Sequence, residues 1–327
     1  MPARIIDGQA YAQRILEDVT KQVRELSETL RPAKLSAVQV GQSSASKLYT
    51  NMQAKQCESV GIVYQLLEHD EQISQDQLTE QICKLNADPD TSGIILQLPL
   101  PSHLDAQAAQ LAIDPAKDVE GIHPVNLGRL FSDGGGLAPP TAQAAVELLR
   151  DVCPDLAGRQ AVVVGRSDIV GKPIAMLLLL RGAPSPTVTV CHSQTRDLAE
   201  HTRRAEIVIV ATGASQMAWQ GYRRKVQGGG AKLPPPDLSY LVTADMLSEN
   251  AIVIDVATNR IPKGFHKTGE PFTDEKGKTA MVTVGDVDFQ AASRKVSAIT
   301  PVPGGVGPVT VAVLLRNTVR CAIGAAG

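Results

Sequence analysis

Val162-Val163-Val164-Gly165-Arg166-Ser167-Asp168-Ile169-Val170-Gly171-Lys172-Pro173 decides the fold. Three β-branched residues read as a strand, two glycines bound a short turn, and a helix follows over Gly171–Leu180. A strand that turns through glycines into a helix is where a doubly wound parallel sheet offers backbone N–H groups to a pyrophosphate. The spacing differs from G-x-G-x-x-G, so a purely structural turn competes with that reading.

The next strand, Thr187–Cys191, sharpens it. It ends in His192-Ser193-Gln194-Thr195-Arg196, with no Asp or Glu where an NAD enzyme would grip the ribose hydroxyls. A carboxylate there would repel a 2′-phosphate, whereas Arg and Ser can donate to it, so Arg166 and Ser193 favour NADP. His192 has no acid or nucleophile beside it in sequence and reads more simply as a packed or partly exposed histidine than as a catalyst. Ala211-Thr212-Gly213 closes a third strand and could approach a cofactor with its backbone.

Working outward, short β-branched or apolar runs alternate with segments of helical period. The strands expected are Leu35–Val40, Ile62–Leu67, Gly93–Leu98, Ala161–Val164, Thr187–Cys191, Ile207–Ala211, Ala251–Val256 and Met281–Val284. The helices expected are Gln9–Leu30, Ser44–Val60, Asp76–Asn86, Leu104–Ile113, Thr141–Arg150 and Gly171–Leu180. This alternation predicts α/β layers with largely parallel sheets. With 327 residues there is room for two domains, and Phe131–Pro140, carrying Gly134-Gly135-Gly136 and Pro139-Pro140, is the expected boundary. Trp219 to Asp237, with Arg223, Arg224, Lys225, a Gly triplet and a Pro triplet, reads as an irregular, solvated insertion.

A net charge of −2 and 3% aromatic residues argue against nucleic acid or an anionic membrane as the main partner. The five cysteines form no Cys-x-x-Cys pair, which suits reduced thiols and no metal site. Met1 to Val19 lacks the apolar core of a secretory signal, and Met176 to Leu180 is too short to span a bilayer. A soluble, cytoplasmic protein is expected.

Thr300-Pro301-Val302-Pro303-Gly304-Gly305-Val306-Gly307-Pro308-Val309-Thr310 must form a shaped loop, because prolines remove donors and glycines admit positive φ. The apolar run from Val309 to Val319 then reads as a helix with Pro308 near its first turn. Such a loop suits an anionic group at the helix start, or simply a tight turn.

In the first half, Gly41 ends a strand, Ser43 or Ser44 can cap the following helix, and Ala45, Leu48 and Met52 read as its buried stripe. Tyr49 and Gln53, four apart, share a face. Gly93 to Pro101 delivers Gln97 at a strand's C-terminal end, where open α/β sheets bind ligands. Lys117-Asp118-Val119-Glu120-Gly121 looks extended, which would put both carboxylates on one side. A helix cap or an ion pair with Arg129 explains them as well.

Taken together, Tyr49 with its helix, Gln97 to Pro101, Lys117 to Gly121, Asn126 to Leu130, Pro139-Pro140-Thr141, Gly165 to Pro173, His192 to Thr195, Gly285-Asp286-Val287 and the Pro/Gly loop resemble the bifunctional methylenetetrahydrofolate dehydrogenase/methenyltetrahydrofolate cyclohydrolase family. The likeness runs over nearly the whole chain. It implies two α/β domains flanking a cleft, the second a Rossmann-like doubly wound parallel sheet. The first would be a folate-binding catalytic domain over 1–140, with a C-terminal helix over 306–327 packing back onto it. The second would bind NADP over 141–305, with the insertion near 219–237. A homodimer joined through the cofactor domains is implied, with tetrahydrofolate derivatives as ligands.

The family oxidises methylenetetrahydrofolate to the methenyl form with NADP, then hydrolyses that to 10-formyltetrahydrofolate. The resemblance implies catalytic roles for Tyr49, Gln53, Gln97 and Asp118. Tyr49, Gln97, Leu98, Pro99, Glu120, Pro303, Gly304 and Gly305 would bind substrate, with Tyr49 stacking on the folate and Glu120 holding the pterin amidine edge. The cofactor would meet Thr141, Gly165, Arg166, Ser167, Ile169, Val170, Gly171, His192, Ser193, Ala211, Thr212, Gly213, Val256, Thr258 and Gly304.

One departure matters. The family carries a catalytic lysine four residues after the tyrosine, and here that position is Gln53. Lys55 cannot step in, because two residues along a helix is about 200° of rotation, and Lys47 also lies off that face. Hydride loss removes no proton from the reacting carbon, so a neutral amide can serve it. Hydrolysis needs a base for the attacking water, which glutamine is not. The expectation is therefore a dehydrogenase with weak or absent cyclohydrolase activity. A catalytically silent folate or nucleotide binder is the alternative from another class. An unrelated shikimate-type NADP dehydrogenase would explain the cofactor half but not Tyr49, Gln97 and Glu120.

Overall fold

The computed structural model describes residues 2–29, 31–41, 44–132, 135–182, 184–227, 234–266 and 270–324, without the side chains of 29, 44–49 and 227. In chain order the strands are β1 (Arg4–Ile5), β2 (Lys34–Val40), β3 (Val63–His69), β4 (Gly93–Leu96), β5 (Gln160–Val164), β6 (Thr187–Cys191), β7 (Ile207–Val210), β8 (Ile252–Asp255), β9 (Asn259–Pro262), β10 (Met281–Val284) and β11 (Ala298–Ile299). The chain divides into two compact units. One is Ala10–Gln143 with Val309–Gly327, and the other is Met1–Gln9 with Ala144–Pro308.

The first unit holds a parallel sheet in the order β3-β2-β4. Alternation along its strands sorts the side chains onto two faces. Val38, Val40, Ile94 and Leu96 face one way and pack with Leu78, Ile82, Leu85, Leu104 and Ile113 in a buried core. The Gln75–Ala87 helix on that side starts at a capping box formed by Ser74 and Gln77. The Ser44–Val60 helix reaches the opposite face, where Gln53 meets Tyr64. Its buried positions are Thr50, Gln53, Cys57 and Val60, the three-and-four spacing of one helical face, while Met52 is 60% exposed. The expected stripe through Met52 is therefore corrected. Ser43 and the side chains of Ala45 and Leu48 lie outside what is described.

The second unit holds a fully parallel six-stranded sheet in the order β1-β11-β8-β7-β5-β6. The chain leaves β5 for β6 on one side, then returns to β7 on the other. β5 is thus the place where strand order reverses, the position at which doubly wound sheets bind ligands. Valines and isoleucines of β5, β7 and β8 are buried on both faces, as helix-covered parallel strands require.

Three expectations are revised. Lys117–Gly121 is a chain of turns rather than an extended run: Val119 N donates to Lys117 O at 3.0 Å and Gly121 N to Asp118 O at 3.1 Å. The cause is Lys117, whose ammonium donates to the carbonyls of Leu85, Asn86 and Asp88 at 3.0, 2.7 and 2.7 Å and pulls the segment round. Met281–Val284 is the strand expected, and it pairs antiparallel with β9 in a separate hairpin. The region read as irregular from Trp219 is helical over Ala214–Gln227. Trp219, buried there, packs with Tyr222 and with Phe265 from far along the chain, so the ordering contact is not local. The Gly triplet of that stretch and Gly134 lie outside the described residues. Finally, Met1–Gln9 clusters with the six-stranded unit, because β1 pairs with β11 through Arg4 and Ala298.

The Val306–Gly324 helix is long and apolar enough to cross a membrane, with a mean hydropathy of 1.3. Its buried Asn317 instead donates to Val119 O at 3.0 Å within the first unit. That is the behaviour of a packed core helix.

Candidate active site

Parallel strands place all their carboxyl ends on one edge of a sheet. In the three-stranded unit, Gln97 follows β4 directly and its backbone N–H donates to Val38 O at 2.9 Å. Its side-chain Nε2 donates to Gln53 Oε1 at 2.8 Å, and the Tyr64 hydroxyl donates to the same oxygen at 3.2 Å. Gln53 and Gln97 are 6% and 9% exposed, so this is a buried polar cluster with a small open edge. Lys55 is exposed on the far side of the helix. Tyr49 lies in the same helix as Gln53, but its side chain is outside the described ones. Leu98 is 62% exposed and Pro99 is also exposed beside Gln97.

The two carboxylates of the turn segment differ in their surroundings. Asp118 has no exposed surface, and its Oδ2 accepts from His123 N at 2.8 Å and Asn126 Nδ2 at 3.0 Å. Those bonds hold the start of the Pro124–Phe131 helix, the capping role weighed above, and Arg129 is not among these donors. Its other oxygen, Oδ1, is buried without a hydrogen-bond partner among the described residues. Burial pushes the Asp118 carboxyl upward from its ordinary value. Glu120 is half-buried, and desolvation, reinforced by the charge of Asp118, pushes it up to about 7. Lys117 is tied to three carbonyls and desolvated, which lowers its pKa, and it holds structure rather than chemistry.

In the six-stranded unit, Gly165 ends β5 with φ at +129°, and a Cβ there would lie 2.4 Å from Ala211 O. At Gly171 a Cβ would lie 2.3 Å from Gly165 O. Both positions demand glycine, because the turn packs backbone against backbone at the switch point. Ser167 Oγ accepts from Gly171 N at 3.3 Å and closes the turn, while Val170 supplies no side-chain cap to the helix. Arg166 and Ile169 are exposed around it.

After β6, the His192 N–H donates to Thr195 Oγ1 at 2.9 Å, and His192 Nδ1 accepts from Gln194 N at 3.2 Å. His192 is half-buried, in keeping with the packed or partly exposed histidine expected from its neighbours. Ser193 stands exposed beside it. After β8, Val256 is half-buried and Thr258 exposed on the same edge. Thr141 lies in the first turn of the Pro140–Val152 helix, on the Ala10–Gln143 side of the division.

Sequence reasoning gave no role to the residues that hold this edge together. Asp286 Oδ2 accepts from Thr212 N at 2.9 Å, Thr212 Oγ1 at 2.5 Å and Gly213 N at 3.0 Å. Its Oδ1 accepts from Asn259 Nδ2 at 2.9 Å. Asp255 accepts from the backbone N–H groups of Ala257, Asp286 and Val287, and desolvation pushes it up to about 7. Gly285 must be glycine, because a Cβ would lie 1.9 Å from Asp255 Oδ2. The quoted Gly285-Asp286-Val287 carried the signal, but not the partner it serves.

The Pro/Gly loop is tied down within its own unit. Gly8 N donates to Gly304 O at 3.0 Å, and a Cβ on Gly8 would lie 1.8 Å from Gly305 O. Gly304, with φ at +105°, is half-buried, Gly305 is buried and Pro303 is exposed. Close backbone packing thus accounts for part of the glycine demand, the tight-turn reading.

Comparison with known proteins accounts for this combination. A family described as tetrahydrofolate dehydrogenase/cyclohydrolase, catalytic domain, matches residues 6–120. Its NAD(P)-binding domain matches 139–223 and 238–325, leaving out most of the basic insertion. The bifunctional protein FolD of a Nitratiruptor species is 42% identical over 321 residues, covering 98% of both chains. The crystal structure of the Campylobacter jejuni bifunctional enzyme FolD, a methylenetetrahydrofolate dehydrogenase/cyclohydrolase, superposes with a TM-score of 0.81 at 36% identity, covering 98% of this chain and 99% of that one. A Trypanosoma brucei methylenetetrahydrofolate dehydrogenase-cyclohydrolase complexed with NADP and inhibitor gives 0.80 at 33% identity, covering 100% and 99%.

Proposed function

The chain belongs to the tetrahydrofolate dehydrogenase/cyclohydrolase family, and from that premise we propose that it oxidises methylenetetrahydrofolate to methenyltetrahydrofolate with NADP. It is an enzyme of one-carbon metabolism, and its hydrolytic step is weak or absent. The observation that carries the second statement is the buried amide at 53, bonded to Tyr64 and Gln97 where the family has a lysine.

The residues present fit a phosphorylated dinucleotide. Gly165 and Gly171 let the turn pack backbone against backbone at the switch point where doubly wound sheets bind nucleotides, and no carboxylate lies within the five residues after β6. Arg166 and Ser193 would hold the 2′-phosphate, with Thr212, Gly213, Val256 and Thr258 along the same edge. When bound, NADP supplies a hydride acceptor. Ile169, Val170, His192 and Ala211 complete that edge, and Thr141, Pro303, Gly304 and Gly305 carry ligand contacts by family likeness.

On the folate side, Tyr49 stacks on the substrate, Gln97 and Gln53 orient the methylene carbon, and Leu98 and Pro99 form an apolar wall. Asp118, being wholly buried, is a positioning residue that fixes the start of the Pro124–Phe131 helix just beyond Glu120. Glu120 accepts two donors from the pterin amidine edge as a carboxylate. We place the protein in the cytoplasm as a homodimer through the six-stranded unit, by likeness to the family.

The test follows absorbance as NADP is reduced in the presence of methylenetetrahydrofolate. Steady reduction with NADP is expected; none at saturating substrate would leave the silent binder. A pH effect follows from Glu120. In the free chain its carboxyl is largely protonated below about 7. Folate KM is therefore expected to fall as pH rises through about 7, and Glu120→Gln is expected to raise KM and flatten that profile. The linkage sign for folding is opposite. A raised folded-state pKa makes stability from this group greatest at low pH and lost as pH rises through about 7. Thermal melts of the wild-type chain and Glu120→Gln across pH 5 to 8 check this second sign.

A further inference from the structure

We propose that Tyr64 is a positioning residue for the oxidation step, acting through Gln53; this rests on the function given above and deepens it. Tyr64 is the second residue of β3, and its register partner is Leu35 of β2, which in turn pairs with Gly93 of β4. The period of two therefore puts Tyr64 and Gln97 on the same face of the sheet. The Ser44–Val60 helix lays Gln53 against that face.

The chemistry of the three groups is specific. A carbonyl oxygen has two lone-pair directions. At Gln53 Oε1 one is taken by the Tyr64 O–H at 3.2 Å and the other by Gln97 Nε2–H at 2.8 Å. Two donors on one oxygen fix both the position and the plane of the amide, which leaves Nε2 as the group Gln53 can offer a ligand. Without Tyr64 the glutamine keeps a single anchor and regains torsional freedom, because its terminal torsion is broad. Tyr64 is half-buried and forms part of this polar cluster rather than the apolar core, so its hydroxyl is the part that matters. The geometry assigns to Tyr64 the job of holding a neutral amide where the family uses a charged amine.

The test is a double-mutant cycle on the full chain with Tyr64→Phe, Gln53→Ala and the double variant. Tyr64→Phe keeps the ring and removes only the hydroxyl. It is expected to lower kcat for NADP reduction roughly fivefold, the worth of one neutral hydrogen bond, with KM for NADP unchanged. In the Gln53→Ala background the same change is expected to cost nothing further. A purely structural role would give losses that multiply, or an unchanged kcat in Tyr64→Phe, and either result overturns the proposal. The Kd for tetrahydrofolate, measured on the same four proteins, separates this from the functional reading. If the wild-type chain reduces no NADP, that reading fails. Coupling in Kd then still supports the Tyr64–Gln53 pairing, and additive losses overturn it.

Discussion

Gln53→Lys is expected to raise the hydrolysis of methenyltetrahydrofolate by about 10²–10⁴-fold over the wild-type chain, the usual worth of a positioned general base. Attack of water on the methenyl carbon forms a bond to an oxygen that must shed a proton. A glutamine amide has no basic lone pair near neutral pH, and here its oxygen is already occupied by Tyr64 and Gln97. A lysine at this site would be largely buried, since Gln53 is 6% exposed, and burial lowers an amine's pKa toward the range where a neutral fraction exists. The measurement is the decay of methenyl absorbance above its spontaneous rate, with Gln53→Met as a control of similar length and no base. If Lys and Met behave alike, or if the wild-type chain already hydrolyses methenyltetrahydrofolate far above the spontaneous rate, the reading of position 53 is wrong.

Gly165→Ala is expected to cost about 3 kcal/mol of stability and to raise the KM for NADP at least about tenfold. Two independent causes add. The backbone φ of +129° is one that a side chain rarely tolerates, and the new methyl would sit 2.4 Å from Ala211 O, a backbone atom that cannot swing aside. Relief requires β5 and β7 to part at their carboxyl ends, which moves the Ala211–Gly213 loop that Asp286 holds with three hydrogen bonds. Gly158→Ala makes a useful comparison. Its φ is +73°, but a Cβ there meets nothing within 4 Å, so it tests backbone strain without the clash. Equal losses of NADP affinity in the two variants would show that proximity to Ala211 is irrelevant.

Much of the fold could be read along the chain because its causes are local. Val162 to Gly171 announces a strand, a glycine turn and a helix within a dozen positions, and the structure bears this out. Thr187–Cys191 needed only its own β-branched residues. Where packing partners are distant, the sequence misled. Two-residue strands such as Arg4–Ile5 and Ala298–Ile299 are too short to show a period, and they exist through pairing with distant strands, β1 with β11 and β11 also with β8. Lys117–Gly121 looks extended in isolation and is bent by an ammonium reaching three carbonyls some thirty positions earlier. Ala214–Gln227 is ordered through Trp219 against Phe265.

By itself, then, the order of residues determined the alternation of strand and helix, the glycine turn that suits a pyrophosphate, the preference for a 2′-phosphate and the missing lysine. Each is read from short local stretches, the residues just after β5 and after β6 among them. The tertiary structure alone decided what replaces that lysine: an amide gripped by residues 11 and 44 positions away, brought together by parallel strand register. It also decided that Asp118 is sealed while Glu120 keeps an open side and a raised pKa. Solvation and hydrogen-bond partners are properties of a packed environment, and no spacing along a chain encodes them directly.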